Sequence, residues 1–215
     1  MTASERRVLA QEACRLSFAL DDDQLERLGS YVDIVRAWTP RIRLLGDRDP
    51  AALIRKHLPD CLALAPLLRK EGPVADIGTG AGLPGVVLGC VRPDLEYWLI
   101  ESRQRRVSFL HEVKARVGLR GARVVNSRAE ELAGRPDFAG RASLVTARAV
   151  SLEDLLKWGH PLMSADGCIV AMQSQKLSLD RVQSAAGAVD LRILEVREYR
   201  LIDGEGRRIV ILGRA

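Results

Sequence analysis

Ten consecutive residues, Asp76-Ile77-Gly78-Thr79-Gly80-Ala81-Gly82-Leu83-Pro84-Gly85, restrict the fold of this chain more than any other stretch. They follow one short apolar run, Pro73-Val74-Ala75, and precede another, Val86-Val87-Leu88. Strand, glycine turn and helix in that order open a nucleotide-binding α/β sheet. The glycines bring backbone close to a ligand because no Cβ intervenes. Gly80-x-Gly82-x-x-Gly85 also satisfies the dinucleotide pattern, so the glycines alone leave the cofactor open. Asp76 weighs on that choice. A strand-end carboxylate sits badly beside a pyrophosphate and well beside the ammonium and sulfonium groups of S-adenosylmethionine.

Around this loop the chain divides into two parts. Residues 1–70 read as an N-terminal helical extension, and residues 71–215 as the domain that carries the loop. In the first part Ser4 is placed to cap a helix carrying Val8, Leu9, Ala13, Leu16 and Ala19. Asp21-Asp22-Asp23 offers the N-cap of a second, whose apolar stripe is Leu25, Leu28, Val32, Val35 and Trp38. Thr39-Pro40 ends it. Asp49-Pro50 pairs an N-cap with an N1 proline and starts a third; Pro59 lies inside that helix, where it kinks or splits it. From Gly72 onward, strands alternate with helices. The strands expected are 73–77, 95–100, 122–126, 142–147, 167–172, 191–198 and 207–213, with helices over 84–91, 103–117, 151–163 and 176–187. Such alternation implies a parallel sheet covered on both faces. Asp203-Gly204-Glu205-Gly206 leaves no room for a helix between the last two strands, so they form a hairpin with an antiparallel strand at one edge. The fold class is therefore α/β, a seven-stranded, Rossmann-like sheet with a helical N-terminal extension, and seven strands ending in such a hairpin is the arrangement associated with class I S-adenosylmethionine-dependent methyltransferases.

Three further positions bear on chemistry. Glu101 ends the second strand 25 residues after Asp76, where a carboxylate accepts both hydroxyls of an adenosine ribose. It does not separate nicotinamide dinucleotides from S-adenosylmethionine, and an acid at a helix start is favourable in any case. Ser127-Arg128-Ala129-Glu130-Glu131 follows the third strand, where an adenine would lie; an ordinary surface helix cap explains it equally well. Arg148 ends the fourth strand beside the crevice in which open sheets collect ligands. It is suited to a cofactor carboxylate, a substrate phosphate, or a plain surface ion pair.

What is missing narrows the reaction. No Asn/Asp-Pro-Pro-aromatic tetrapeptide stands at the fourth strand to hold an exocyclic amine, and no Pro-Cys dipeptide supplies a cysteine nucleophile for a pyrimidine C5. A ring nitrogen such as guanine N7 needs neither, because its in-plane lone pair attacks a methyl group without first losing a proton. His57, His111 and His160 form no metal or triad spacing and read as structural. Cys14, Cys61, Cys90 and Cys168 contain no CxxC pair, which points to reduced, packed thiols rather than a metal or redox centre. No apolar run is long enough to cross a bilayer, and no signal core follows Met1. The expectation is a cytoplasmic enzyme with no membrane partner, acting as a monomer. The net charge is +5, and 28 of the 33 basic residues are arginine. Arginine-rich codon usage accounts for that ratio as well as function does, but the positive excess points to a polyanionic partner. Its clusters are Arg41-Ile42-Arg43, Arg103/Arg105/Arg106 and Arg207-Arg208.

A wider set of motifs runs along nearly the whole chain: Tyr31-Val32 through Trp38, Arg48-Asp49-Pro50, His57-x-x-Asp60, the loop 76–85, Val91-Arg92-Pro93, Arg106-Val107-x-Phe109-Leu110, Arg128-x-Glu130-Glu131 and Arg148-Ala149. With these the chain resembles the bacterial small-subunit ribosomal RNA methyltransferase G family, also called glucose-inhibited division protein B. The resemblance implies methylation of N7 of a guanine in 16S rRNA (guanine 527 in the family) with S-adenosylmethionine as cofactor, the small ribosomal subunit or its RNA being the partner. It implies cofactor contacts at Gly78, Leu83, Ala129, Glu130 and Arg148, with Glu101 on the ribose. It also adds His57 and Asp60 to the active cleft, where spacing had suggested nothing. The combined site is then Asp76, Gly78, Thr79, Gly80, Gly82, Leu83, Glu101, Ala129 and Glu130 for the cofactor. Arg148 bridges cofactor and substrate, with His57 and Asp60 beside it as the catalytic group, and no metal is expected. Two stretches depart from the family. Arg43-Leu44-Leu45-Gly46 stands where Asn-Leu-Thr is usual, and Met172-Gln173-Ser174-Gln175 stands where Leu-Lys-Gly-Gln/Glu is usual. The second removes a lysine expected near substrate. Two other readings remain: a nicotinamide-dependent oxidoreductase, and a non-catalytic RNA-binding relative with the same fold.

Overall fold

A computed structural model describes residues 1–46, 49, 51–69 and 72–215. Arg48 and Pro50, part of the motif read at 48–50, lie outside the described residues. Two helices open the chain, α1 (Ala3–Arg15) and α2 (Asp22–Trp38). Thr2, not Ser4, caps α1. Its hydroxyl accepts from the Glu5 amide at 3.2 Å, and the Glu5 carboxylate accepts from the Thr2 amide at 2.8 Å. Only at Thr2 does an acid follow three residues on, as this reciprocal cap requires. Asp21 caps α2 in the same way with Gln24.

The third helical stretch is in pieces. A π-helical turn, Leu53–His57, runs into α3 (Leu58–Leu62), and a 3₁₀ turn follows at Ala65–Leu67. Pro59 explains the break. It has no N–H, and its ring crowds the carbonyl four residues back. The Leu58 amide bonds instead to the Leu53 carbonyl, five residues back, and Pro59 falls in the first turn of α3, where no donor is required.

The sheet strands are β1 (Val74–Ile77), β2 (Tyr97–Glu101), β3 (Ala122–Asn126), β4 (Ala142–Ala147), β5 (Met163–Ser174), β6 (Leu191–Arg200) and β7 (Gly206–Arg214), in spatial order β3-β2-β1-β4-β5-β7-β6. Helices α4 (Gly85–Val91), α5 (Gln104–Val117), α6 (Leu152–Gly159) and α7 (Leu179–Gly187) connect them. β1 through β5 pair in parallel, and β7 is antiparallel to both β5 and β6. The antiparallel strand therefore lies second from the margin rather than at it, because β7 folds back between β5 and β6. α6 also stops earlier than expected. Pro161 has no N–H with which to continue the helical ladder, and Met163 already belongs to β5.

Alternating strand residues feed two cores. Val74, Leu99, Leu144, Val170 and Ile211 face α4, α5 and the N-terminal helices, whereas Ala75, Trp98, Val145, Ile169 and Leu212 face α6 and α7. The N-terminal helices thus share one continuous core with one sheet face. Strand order reverses between β1 and β4, and ligands of open α/β sheets bind outside the carboxyl ends of strands at such a reversal.

Candidate functional site

The loop after β1 is held from below. Asp76 is wholly buried, and one of its oxygens accepts from the Thr79 hydroxyl at 2.5 Å and from the Gly85 amide at 2.8 Å. Burial outweighs these bonds and pushes the carboxyl up to about 7. Its other oxygen has no hydrogen-bond partner among the described residues. Gly82 takes φ +89°, and a Cβ there would stand 2.4 Å from the Val86 Cγ2 atom. From the opposite side the Tyr31 hydroxyl donates to the Ala81 carbonyl at 2.7 Å.

Glu101 is the second anchor. It is buried and accepts from the Gly80 amide at 3.2 Å and the Arg103 amide at 2.8 Å, with the Arg106 guanidinium 3.5 Å away. It also lines a small cavity of about 110 Å³ with Gly78, Ser127, Ala129, Glu130 and Trp158. Ala129 is buried there and Glu130 is exposed. A carboxylate has about four acceptor positions, so Glu101 can hold the loop and still receive hydroxyls.

On the far side of Gly78 lies a larger cavity of about 300 Å³. Gly78, Thr79, Gly80 and Leu83 form one wall, and His57, Asp60 and Arg148 another. Arg148 ties that wall together: Nε donates to Asp60 Oδ2 at 3.2 Å, and NH2 donates to His57 Nδ1 at 2.6 Å. Because a guanidinium only donates, His57 Nδ1 accepts, which places the proton of the neutral ring on Nε2. Asp60 Oδ1 accepts from the Tyr199 hydroxyl at 2.6 Å. The cavity, with Gly78 shared between it and its smaller neighbour, brings together residues 57, 60, 78, 101, 129 and 148 from five separate stretches. Asp76 and Gly82 line neither cavity; they shape the loop from beneath.

Sequence reasoning missed several residues here. His57 read as structural by spacing alone, yet it stands in the cavity wall. Arg106 and Arg207 line the cavity, but Arg207 appeared only in a basic cluster, and Arg106 only there and at the head of the motif Arg106-Val107-x-Phe109-Leu110, with no site role. Tyr199 carried no signal, and Tyr31 stood only in the motif Tyr31-Val32 through Trp38 with no site role, since each acts through a partner more than 45 residues away. Both departures from the family pattern also line this cavity, through Leu44, Leu45 and Gly46 on one side and Met172 and Gln173 on the other. Arg41 and Arg43 border an adjoining groove that shares Leu45 and Gly46 with it. Among the described residues no cluster of ligands suits a metal ion, no helix is long and apolar enough to cross a membrane, and the cysteines are unpaired, with Cys14 exposed.

The fold is that of methyltransferases of low sequence similarity. A crystal structure of a SAM dependent methyltransferase from Aquifex aeolicus superposes with a TM-score of 0.57 at 17% identity, over 76% of this chain and 93% of that one. Sequence similarity is far more specific. The chain is 37% identical to the ribosomal RNA small subunit methyltransferase G of Symbiobacterium thermophilum, over 99% of this chain and 91% of the relative. It is 32% identical to the protein of the same name from Acetivibrio thermocellus, over 96% and 87%. The family profile described as GidB, rRNA small subunit methyltransferase G, matches residues 24–210. With its glycine loop, paired cavities and near full-length similarity, this chain belongs to the rRNA small subunit methyltransferase G family.

Proposed function

We propose that the protein transfers a methyl group from S-adenosylmethionine to N7 of a guanine in 16S rRNA, at the position that corresponds to guanine 527 of the family. The observation that carries this reading is the pair of cavities meeting at Gly78, one lined by Glu101 and Ala129, the other by Arg148 and a basic mouth. The donor set suits the cofactor: a ribose-binding carboxylate in Glu101 and an approachable backbone at Gly78 and Gly80, with the buried Asp76 carboxyl acting on it only through the loop. When bound, the cofactor supplies an electrophilic methyl group on a sulfonium. Glu101 then holds the ribose hydroxyls, Ala129 and Glu130 border the adenine, and Arg148 stands between the cofactor and the base.

What the chain's own side chains do is positional. Asp60 and His57 are both engaged by Arg148, so neither is offered as a base, and N7 requires none. Alignment of the base and exclusion of water supply the rate enhancement. Arg106 and Arg207 at the cavity, with Arg41 and Arg43 in the adjoining groove, form a positive approach suited to an RNA backbone. The reading places the enzyme in the cytoplasm, where ribosomal RNA is. Transfer of labelled methyl from S-adenosylmethionine to 30S particles or 16S rRNA from cells lacking this protein tests it. Borohydride and aniline cleavage should map one N7-methylguanine. Absence of any labelled RNA despite cofactor binding would sink it.

A further inference from the structure

Asp60 is approached by two guanidinium groups and one hydroxyl. Arg148 Nε donates to Oδ2, the Tyr199 hydroxyl donates to Oδ1 at 2.6 Å, and Arg207 Nε stands 3.7 Å from that same Oδ1. A separation of 3.7 Å is an ion pair but too long for a hydrogen bond. Arg207 Nε is buried and has no hydrogen-bond partner among the described residues. The other end of its guanidinium pairs with Glu205 at 3.2 Å. Tyr199 and Arg207 face each other across the β6–β7 ladder, so the hairpin delivers both to Asp60 from one register position. Arg207 also lines the larger cavity.

We infer that Tyr199 is a positioning residue: by fixing the orientation of the Asp60 carboxylate through Oδ1, its hydroxyl keeps Asp60 on Arg148 and beyond hydrogen-bond reach of Arg207 Nε, leaving that N–H to bind an oxyanion of a ligand in the cavity. That oxyanion is an RNA phosphate or a cofactor carboxylate; both offer the same acceptor chemistry to a guanidinium. Without the hydroxyl, a small rotation of the Asp60 carboxylate closes the 3.7 Å gap and the Arg207 Nε–H is spent on an internal hydrogen bond.

This inference rests on the methyl-transfer reading, and one assay separates the two failures. Wild-type protein, Tyr199→Phe, Arg207→Gln, Arg207→Lys and the Tyr199→Phe/Arg207→Gln double variant are compared for methyl transfer to 30S particles across a salt series. Binding of S-adenosylhomocysteine is followed in parallel by calorimetry, and melting curves confirm folding. Each single variant should weaken one ligand about tenfold, the size expected for one charge-assisted hydrogen bond. The double variant should be no worse than Arg207→Gln alone, and Arg207→Lys should restore part of the loss. A raised KM for the particle with a shallower salt dependence assigns the RNA phosphate; weakened S-adenosylhomocysteine binding assigns the carboxylate. Active wild-type protein with neither ligand affected, or with losses that simply add in the double variant, overturns the inference. Wild-type protein that transfers no methyl group defeats the underlying reading instead.

Discussion

The hydroxyl of Tyr31 on α2 donates to the carbonyl of Ala81 in the glycine loop at 2.7 Å, and both residues are buried. This bond crosses from the helical extension to the loop, 50 residues away in sequence, so the extension supports the site directly. Tyr31→Phe keeps the ring and strands a buried carbonyl, a loss of about 1–3 kcal/mol. Urea unfolding should register that loss. S-Adenosylhomocysteine affinity measured on the same variant should fall as well; unchanged affinity would confine Tyr31 to stability.

Asp76 should make cofactor binding depend on pH. Its folded pKa of about 7 lies above the ordinary 3.8, so between these values the folded state holds a proton that the unfolded chain has released. The stability contributed by the neutral form is complete below 3.8 and is lost as pH rises toward 7. Positive groups brought close by a bound cofactor favour the carboxylate. Binding near pH 6 should therefore release a proton, and affinity should climb with pH until it levels off above 7. Calorimetry in two buffers of different ionisation enthalpy counts that proton. It should vanish in Asp76→Asn, and a wild-type protein that releases none would uncouple Asp76 from the cofactor.

Gly82→Ala should be among the most damaging single-atom additions in the chain. It combines a left-handed backbone with a Cβ only 2.4 Å from Val86, whose residue packs at the start of α4. Backbone strain of about 1–2 kcal/mol adds to overpacking of about 1–3 kcal/mol. Thermal melting should show the combined loss, and cofactor binding should weaken with it. A variant that melts like the wild type would mean the loop relaxes freely.

Gln173 lines the cavity, at the position where the family resemblance implies a lysine. Gln173→Lys adds a fourth cation to a wall that already holds Arg106, Arg148 and Arg207. If RNA phosphate approaches this wall, KM for the particle should fall several-fold, and the logarithmic salt dependence should steepen by about one charge equivalent. Cofactor affinity should stay level. A flat response in both would place Gln173 away from the RNA path.

Much of this was legible from local pattern, and the misses share a cause. Most strands were found within a few residues because they are apolar runs bounded by turn residues, β6 with its alternating charges being the exception, and the loop after β1 because its glycines cluster. The cap of α1 was misplaced by two residues, since Ser4 and Thr2 are chemically similar and only the reach of Glu5 decides between them. The π turn before Pro59 was out of reach, because the same residues also suit a kinked helix. His57 was legible only by resemblance. Its neighbours in sequence say nothing of Arg148, 91 residues further on.

By itself the sequence determined the α/β class, the glycine loop between β1 and α4, and the acid that ends β2, because each depends on residues within one strand-turn-helix unit. Only the tertiary structure decided that Asp76 and Gly82 shape the loop from beneath while Gly78 opens onto two cavities. It alone gathered Arg148, Tyr199 and Arg207 around the Asp60 carboxylate, with His57 held by Arg148. Those five come from an N-terminal helix, a strand end and a C-terminal hairpin. What joins them is the strand order and the reversal between β1 and β4, and side-chain contacts across such distances are set by packing rather than by spacing along the chain.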